Sequence, residues 1–392
     1  MKKTAIYFHQ LMKRFLFIIL FLPLLLFCGE DEGEKRCTVP PIYHSLSGDL
    51  LDTAQALADQ WMEENLPEEN WWNWQEAVLM FGLVKIYEYT EEPRFQAYYQ
   101  SWIDYHLANE FPLMYSDHCP PGIALSALYQ ETCSKEYKEA LDRIYTYLEN
   151  EAPRTPEGGI SHLPGDPQLW IDSLFMFGVV LTRLGYLTGE NKYFDLITEQ
   201  VDVFASLLQD EEAGLFRHAW IDGEPVPTEP VFWARGNGWV LTSLTELLSV
   251  LPSNHPKRGR VMDIYNRLVS AVVECQDNDT GLWWTVIDRP GETYLETSAS
   301  ALFTYSLAKG INQGLIGEEY LPNIEAGIEG LEGKISIDGE GNLILSGTSV
   351  GTQPGGFDDY AGVEVWDNVN FGIGAVILAF CEEELRQNLQ KE

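Results

Sequence analysis

Tyr87-x-x-Thr90-x4-Phe95, Tyr129-x-x-Thr132-x4-Tyr137 and Gly185-Tyr186-Leu187-Thr188-x4-Tyr193 place a threonine five residues ahead of an aromatic three times in one chain. The threonines are 42 and 56 residues apart, and each falls where one stretch of helical apolar spacing ends and another begins. A repeat of this period marks a two-helix unit. Such a unit cannot bury its apolar face alone and must stack on its neighbours.

Outward from the repeats, apolar residues recur at helical spacing from residue 48 onward, broken by short Gly-, Pro- and Asp-containing segments. The pattern predicts helices near 48–65, 72–90, 94–108, 120–131, 134–150, 167–189, 191–209, 236–251, 257–276, 294–312, 316–331 and 370–386. Six pairs closing on themselves give an all-α (α/α)6 barrel, a six-hairpin toroid with apolar inner and amphipathic outer helices. The alternative, an open superhelix, lacks the polar capping repeat it would need. Helix 167–189 fits the inner class, because Trp170 to Leu181 is almost wholly apolar, with Asp166 as its cap and Pro167 at its first turn. One stretch reads as strand: Lys334 to Asp338 and Leu343 to Leu345 flank a Gly-rich turn, predicting a small β-hairpin near the C-terminus.

Composition narrows the function. Sixty acidic side chains stand against 25 basic ones, a net charge of −35. That field repels a phosphate backbone and excludes nucleic acid as a partner. It also opposes anionic sugars, so a site for one requires local basic residues.

Residues 1–37 read as a leader and tether, and 38–392 as one barrel domain. Lys2, Lys3, Lys13 and Arg14 precede an apolar run of 13 residues, Phe15 to Phe27. That run is short of the ~20 residues of a spanning helix but long enough for a signal segment. Cys28 follows, then the polar Glu30 to Lys35. The arrangement predicts export to the cell envelope or periplasm. Cys28 is a lipidation candidate for a membrane anchor, beside an uncleaved anchor and ordinary secretion; the bulky Phe27 is atypical before a lipidated cysteine. Cys37, Cys119, Cys133, Cys275 and Cys381 have no metal-like spacing, so no metal is expected; they read as buried free thiols, with a Cys119–Cys133 bridge left open.

Asp172 lies among Trp170, Ile171, Leu174 and Phe175. Burial there is expected to raise its pKa, as a general acid requires. Arg235 lies in Phe232-Trp233-Ala234-Arg235-Gly236-Asn237-Gly238-Trp239, at a helix start where the macrodipole disfavours a cation. The two glycines admit a close approach, Trp233 and Trp239 offer flat faces for sugar rings, and the guanidinium can grip a carboxylate bidentately. An interhelical salt bridge with core tryptophans is the plainer reading. His162 and His218 fall in loops leading to these helices, where a lone histidine is as readily a surface residue. Asp117, just before Pro120-Pro121-Gly122, could be an N-terminal helix charge. Trp71, Trp72 and Trp74 suit either a sugar cleft or the core.

Taken together, these landmarks make the chain from about residue 48 onward resemble the unsaturated uronyl hydrolases, glycoside hydrolase families 88 and 105, and more closely the unsaturated rhamnogalacturonyl hydrolases. They are Asp117-x4-Gly122, Arg154-Thr155-x2-Gly158-Gly159-x2-His162, Trp170-Ile171-Asp172, His218-x-Trp220 and Trp233-x-Arg235-x2-Gly238-Trp239. The resemblance implies removal of a 4,5-unsaturated uronic acid from the non-reducing end of lyase-generated oligosaccharides, with no cofactor. It implies Asp172 as catalytic acid, Asp117 beside it, and His162, His218, Trp233, Arg235 and Trp239 at the substrate. Ile160-Ser161 departs from the Phe-Trp often found before that histidine, and Asn370-Phe371-Gly372 lacks a histidine common there. Both bear on which sugar is taken. The competing readings are an inverting glycosidase on the same barrel and a non-catalytic sugar-binding lipoprotein.

Overall fold

A computed structural model describes residues 37–391; the leader and the Cys28 lipidation candidate lie outside the described residues. Among the described residues the twelve long helices are α1 (Asp49–Glu64), α2 (Trp74–Thr90), α3 (Pro93–Ala108), α4 (Gly122–Thr132), α5 (Lys135–Thr146), α6 (Gly178–Thr188), α7 (Asn191–Leu208), α8 (Ala234–Val250), α9 (Arg258–Glu274), α10 (Thr297–Asn312), α11 (Leu321–Glu332) and α12 (Asn370–Lys391). The even-numbered helices pack one on the next, and α12 returns to pack on α2, closing the ring. This is the (α/α)6 barrel the repeats require.

The two classes of helix bury different surfaces. In α10 every residue from Thr297 to Gly310 is buried, as befits an inner helix. Outer α1 buries only Leu50, Leu51, Ala54, Leu57, Ala58 and Trp61, one stripe at helical spacing.

The repeated threonines end three inner helices by one device. Thr90, Thr132 and Thr188 each donate Oγ1–H to the carbonyl four residues back, at 2.7–2.8 Å. Each also accepts the amide two residues on, at 3.2 Å. The intervening residue is left-handed: Glu91 (φ 58°), Cys133 (φ 55°) and Gly189 (φ 70°). The aromatic five residues on, Phe95, Tyr137 or Tyr193, is buried at the start of the outer helix.

Three expectations need correction. Helix 167–189 is not continuous: Leu169–Trp170 forms strand β1, Ser173–Met176 a single turn, and α6 begins only at Gly178. The strand pairs with β2 (Ala219–Ile221), itself paired with β3 (Glu224–Val226). A short, fully apolar run has the same pattern whether strand or helix, and tertiary pairing decided it. The cysteine reading holds for Cys119 and Cys381, which are buried free thiols, and for the free Cys275, but fails for Cys37 and Cys133, which are bonded to each other in place of the Cys119–Cys133 bridge left open. Thirdly, strands are not confined to the hairpin. That hairpin is present as β4 (Ile335–Ile337) against β5 (Leu343–Leu345), and β6 (Thr348–Ser349) pairs with β7 (Val365–Trp366).

The Cys37 bridge begins a strap across the C-terminal ends of α2 and α4. Thr38 Oγ1 donates to the Gln130 carbonyl at 3.2 Å, and the amides of His44 and Leu46 donate to the carbonyls of Glu88 and Tyr89 at 3.1 and 2.7 Å. At this end the inner helices carry a buried ionic cluster: Lys85 with Glu88 at 2.8 Å, Lys309 with Glu246, and Tyr89 with Glu382 at 3.0 Å. The N-terminal ends of the inner helices form the opposite mouth.

Candidate active site

Loops before α4, α6 and α8 carry Asp117, His162, Asp172 and His218 to the mouth. Asp117 sits in the turn Ser116–His118. Asp172 immediately precedes the turn Ser173–Met176 and makes no side-chain cap to it, so it is neither a mid-helix residue nor a capping carboxylate. The strand pair that broke the expected helix has a use here: β1 and β2 put Trp170 opposite Ala219, so His218 and Asp172 meet. His218 Nε2 lies 3.3 Å from Asp172 Oδ2, and His162 Nε2 lies 3.6 Å from Asp117 Oδ1.

A ladder of flat groups holds these side chains. His162 stacks on Trp170 at 4.3 Å and 13°, Trp170 meets His218 edge-on at 5.7 Å, and His218 stacks on Trp233 at 4.4 Å. The guanidinium of Arg235 lies over the rings of Trp233, at 4.8 Å, and Phe371, at 5.2 Å. His162 is further fixed through Nδ1 by Ser116 Oγ at 2.9 Å and Ser173 Oγ at 3.0 Å.

The electrostatics invert one expectation. Burial, with the charge of Asp172 added, lifts Asp117 to about 8. Burial also works to raise Asp172, but the contact and charge of His218, aided by His162, hold its carboxyl below its ordinary value. The raised acid is thus Asp117, not Asp172. Burial lowers His162 to about 4, so it is neutral near pH 7. Two buried carboxyls pushed apart in this way carry one proton between them at neutral pH.

Several buried polar atoms here have no hydrogen-bond partner: Asp117 Oδ1, Asp172 Oδ2, His218 Nε2 and the indole nitrogens of Trp220 and Trp233. Each such group costs about 1–3 kcal/mol if left unsatisfied. At the mouth they leave donors and acceptors free for a polar ligand.

Arg235 and Trp239 are placed differently from expectation. Arg235 is 1 % exposed and its fork is engaged: Nη1 with Glu296 at 3.3 Å and the Ser349 carbonyl at 2.8 Å, Nη2 with the Val350 carbonyl at 2.7 Å and Thr352 Oγ1 at 3.0 Å. The cation that the α8 dipole disfavours is neutralised by Glu296, the N-cap of α10. A Cβ on Gly236 would meet the Trp233 ring at 2.7 Å, so it is protein that approaches this backbone closely. Trp239 is wholly buried against Phe175 at 4.7 Å and Trp74 at 6.0 Å. The tryptophan cluster splits: Trp72 stacks on Trp102 in the core, Trp74 leans on Phe371, and Trp71 is exposed.

Sequence reasoning missed Ser116, Ser173, Glu296 and Tyr360. The two serines adjoin the two aspartates, a symmetry that could have been noticed. Glu76, at the start of α2, was also missed; burial lifts it to about 7, and its Oε2 has no partner.

A helical barrel with two buried, interacting carboxyls at its mouth can serve glycoside hydrolysis. The chain belongs to Glycosyl Hydrolase Family 88, whose profile matches residues 51–387. It is 26 % identical over 303 residues to the unsaturated rhamnogalacturonyl hydrolase YesR of Bacillus subtilis, covering 75 % of this chain and 86 % of that protein. An unsaturated 3S-rhamnoglycuronyl hydrolase of Alteromonas sp. is 27 % identical over 326 residues, covering 79 % of this chain and 76 % of the other. Among solved structures, a family 105 glycoside hydrolase of C. acetobutylicum superposes with a TM-score of 0.78 at 28 % identity, covering 85 % of this chain and 99 % of that one.

Proposed function

We propose that this glycoside hydrolase removes the 4,5-unsaturated uronic acid from the non-reducing end of lyase-generated oligosaccharides by hydrating its double bond. The observation that carries the reading is the Asp117–Asp172 pair: two buried carboxyls of opposite pKa displacement, each facing a histidine. Family membership and the names of the two relatives support the substrate class.

In the proposed reaction Asp172 protonates C4, positive charge develops at C5 beside the ring oxygen, and water adds at C5. The Asp172 carboxylate takes the proton from that water, restoring the acid. The resulting hemiketal opens and expels the remaining sugar. In the free enzyme Asp172 is ionised, so it takes up a proton from solvent as the substrate binds. An arriving uronate adds negative charge and displaces solvent, and both raise the proton affinity of a carboxyl. Asp117, holding a proton near pH 7, adds no second negative charge to a site that must accept an anion.

The direct test is incubation with a lyase-generated unsaturated disaccharide and its saturated counterpart, following the absorbance of the conjugated double bond. The unsaturated compound should lose its absorbance and release free sugar. Cleavage of the saturated compound alone points instead to an inverting glycosidase. We also propose export, with Cys28 as a candidate lipid anchor; the Cys37–Cys133 bridge supports an oxidising compartment. Mass spectrometry of the mature N-terminus tests it, an intact Met1 in a cytoplasmic fraction being the contrary result.

A further inference from the structure

His218 Nε2 faces Asp172 Oδ2 at 3.3 Å, yet nothing on the histidine's own loop decides which ring nitrogen bears the proton. The deciding contact comes from 142 residues away. Tyr360 Oη lies 3.0 Å from His218 Nδ1, with Tyr360 wholly buried in a one-turn helix, Phe357–Ala361.

We propose that Tyr360 is a positioning residue that fixes the tautomer of His218, so that Nε2–H faces Asp172. A phenol has one proton to donate and lone pairs that accept. The Gly355 amide donates to Tyr360 Oη at 3.2 Å, occupying an acceptor position. The phenol's own proton is assigned to His218 Nδ1, which makes that the unprotonated nitrogen. The imidazole proton is left on Nε2, 3.3 Å from Asp172 Oδ2. Burial and the nearby charge of Asp172 both push the phenol's pKa up, keeping its proton in place.

The ring is well held. Tyr360 lies nearly parallel to Trp233, 6.4 Å away at 17°, and its carbonyl accepts from Tyr294 Oη at 3.4 Å. The chain leading to it, Ser349 to Thr352, is the segment gripped by the Arg235 fork. Arg235 therefore acts at the site through this loop, holding the element that carries Tyr360.

This inference rests on the proposed reaction for its catalytic consequence but not for its geometry, so the test has two arms. Protein labelled with 15N-histidine is compared with Tyr360→Phe by NMR in mildly alkaline buffer without substrate, the His218 signal being identified by its loss in His218→Asn. Wild type should show Nε2–H with an unprotonated Nδ1, and Tyr360→Phe, while still folded, a mixture of tautomers. A proton on Nδ1 in the wild type, or an unchanged tautomer in the variant, overturns the proposal. In the second arm kcat on the unsaturated disaccharide should fall about tenfold in Tyr360→Phe with little change in KM, the scale of one hydrogen bond. An unchanged kcat also overturns it. A wild type inert on that disaccharide refutes the functional reading alone and leaves the tautomer result standing.

Discussion

Arg235 and Glu296 face each other at 3.3 Å across the first turns of α8 and α10, and both side chains are sealed from solvent. Glu296 is doubly used. It caps α10 through the Ala299 amide and accepts the Ser349 amide at 2.9 Å, so the pair staples the loop before α12 to the barrel.

Removing one partner of such a pair strands the other as a buried charge. Glu296→Ala should cost ~3–5 kcal/mol in urea unfolding. Arg235→Lys keeps the charge but loses the fork that spans Ser349 and Thr352. Hydrogen exchange at residues 349–360 should therefore quicken in Arg235→Lys. Unchanged exchange there would mean that the loop is held by other contacts and that Arg235 does not anchor it.

Asp117 links stability to pH. Its pKa rises from an ordinary 3.8 to about 8 in the fold, so the folded protein keeps a proton that the unfolded chain has lost across this window. The contribution is complete below the unfolded value and disappears as pH climbs through about 8. Asp117→Asn needs no proton, so between about pH 6 and 9 its melting temperature should fall less than that of wild type. Parallel curves would show that Asp117 is ionised throughout.

The Cys37–Cys133 bridge closes a span of 96 residues and fixes the strap over the ends of α2 and α4. Replacing both cysteines by serine should lower stability by roughly 2–5 kcal/mol, measured by urea denaturation. The mouth lies at the other end of the barrel, so kcat of the folded variant should stay near wild type. A variant of wild-type stability would show that the strap is held without the bridge.

The helical barrel was legible because it is periodic. Eleven of the twelve expected helices occur near their expected bounds and the twelfth, 167–189, only in its second half from Gly178, while the Thr-to-aromatic repeat marks a cap whose hydrogen bonds recur at Thr90, Thr132 and Thr188. What escaped is what depends on partners distant in the chain. A two-residue strand at Leu169–Trp170 exists only because Ala219 and Trp220 pair with it. Tyr360 matters only because it meets His218, and Glu296 only because it meets Arg235. The same gap explains the pKa reversal. Burial of Asp172 could be read from its apolar neighbours, but the contact of His218 with it could not.

Everything in the proposed chemistry turns on Asp172 giving its proton to the double bond. Asp172→Asn is nearly isosteric and cannot act as that acid, while the surrounding ladder of His162, Trp170, His218 and Trp233 is kept. The deciding measurement is the rate at which this variant, saturated with an unsaturated uronyl disaccharide, consumes the conjugated absorbance. Its kcat should lie at least ~10²-fold below wild type, the scale of general acid catalysis, with binding of the disaccharide retained. A kcat within a few-fold of wild type would contradict the assignment of Asp172 as the acid.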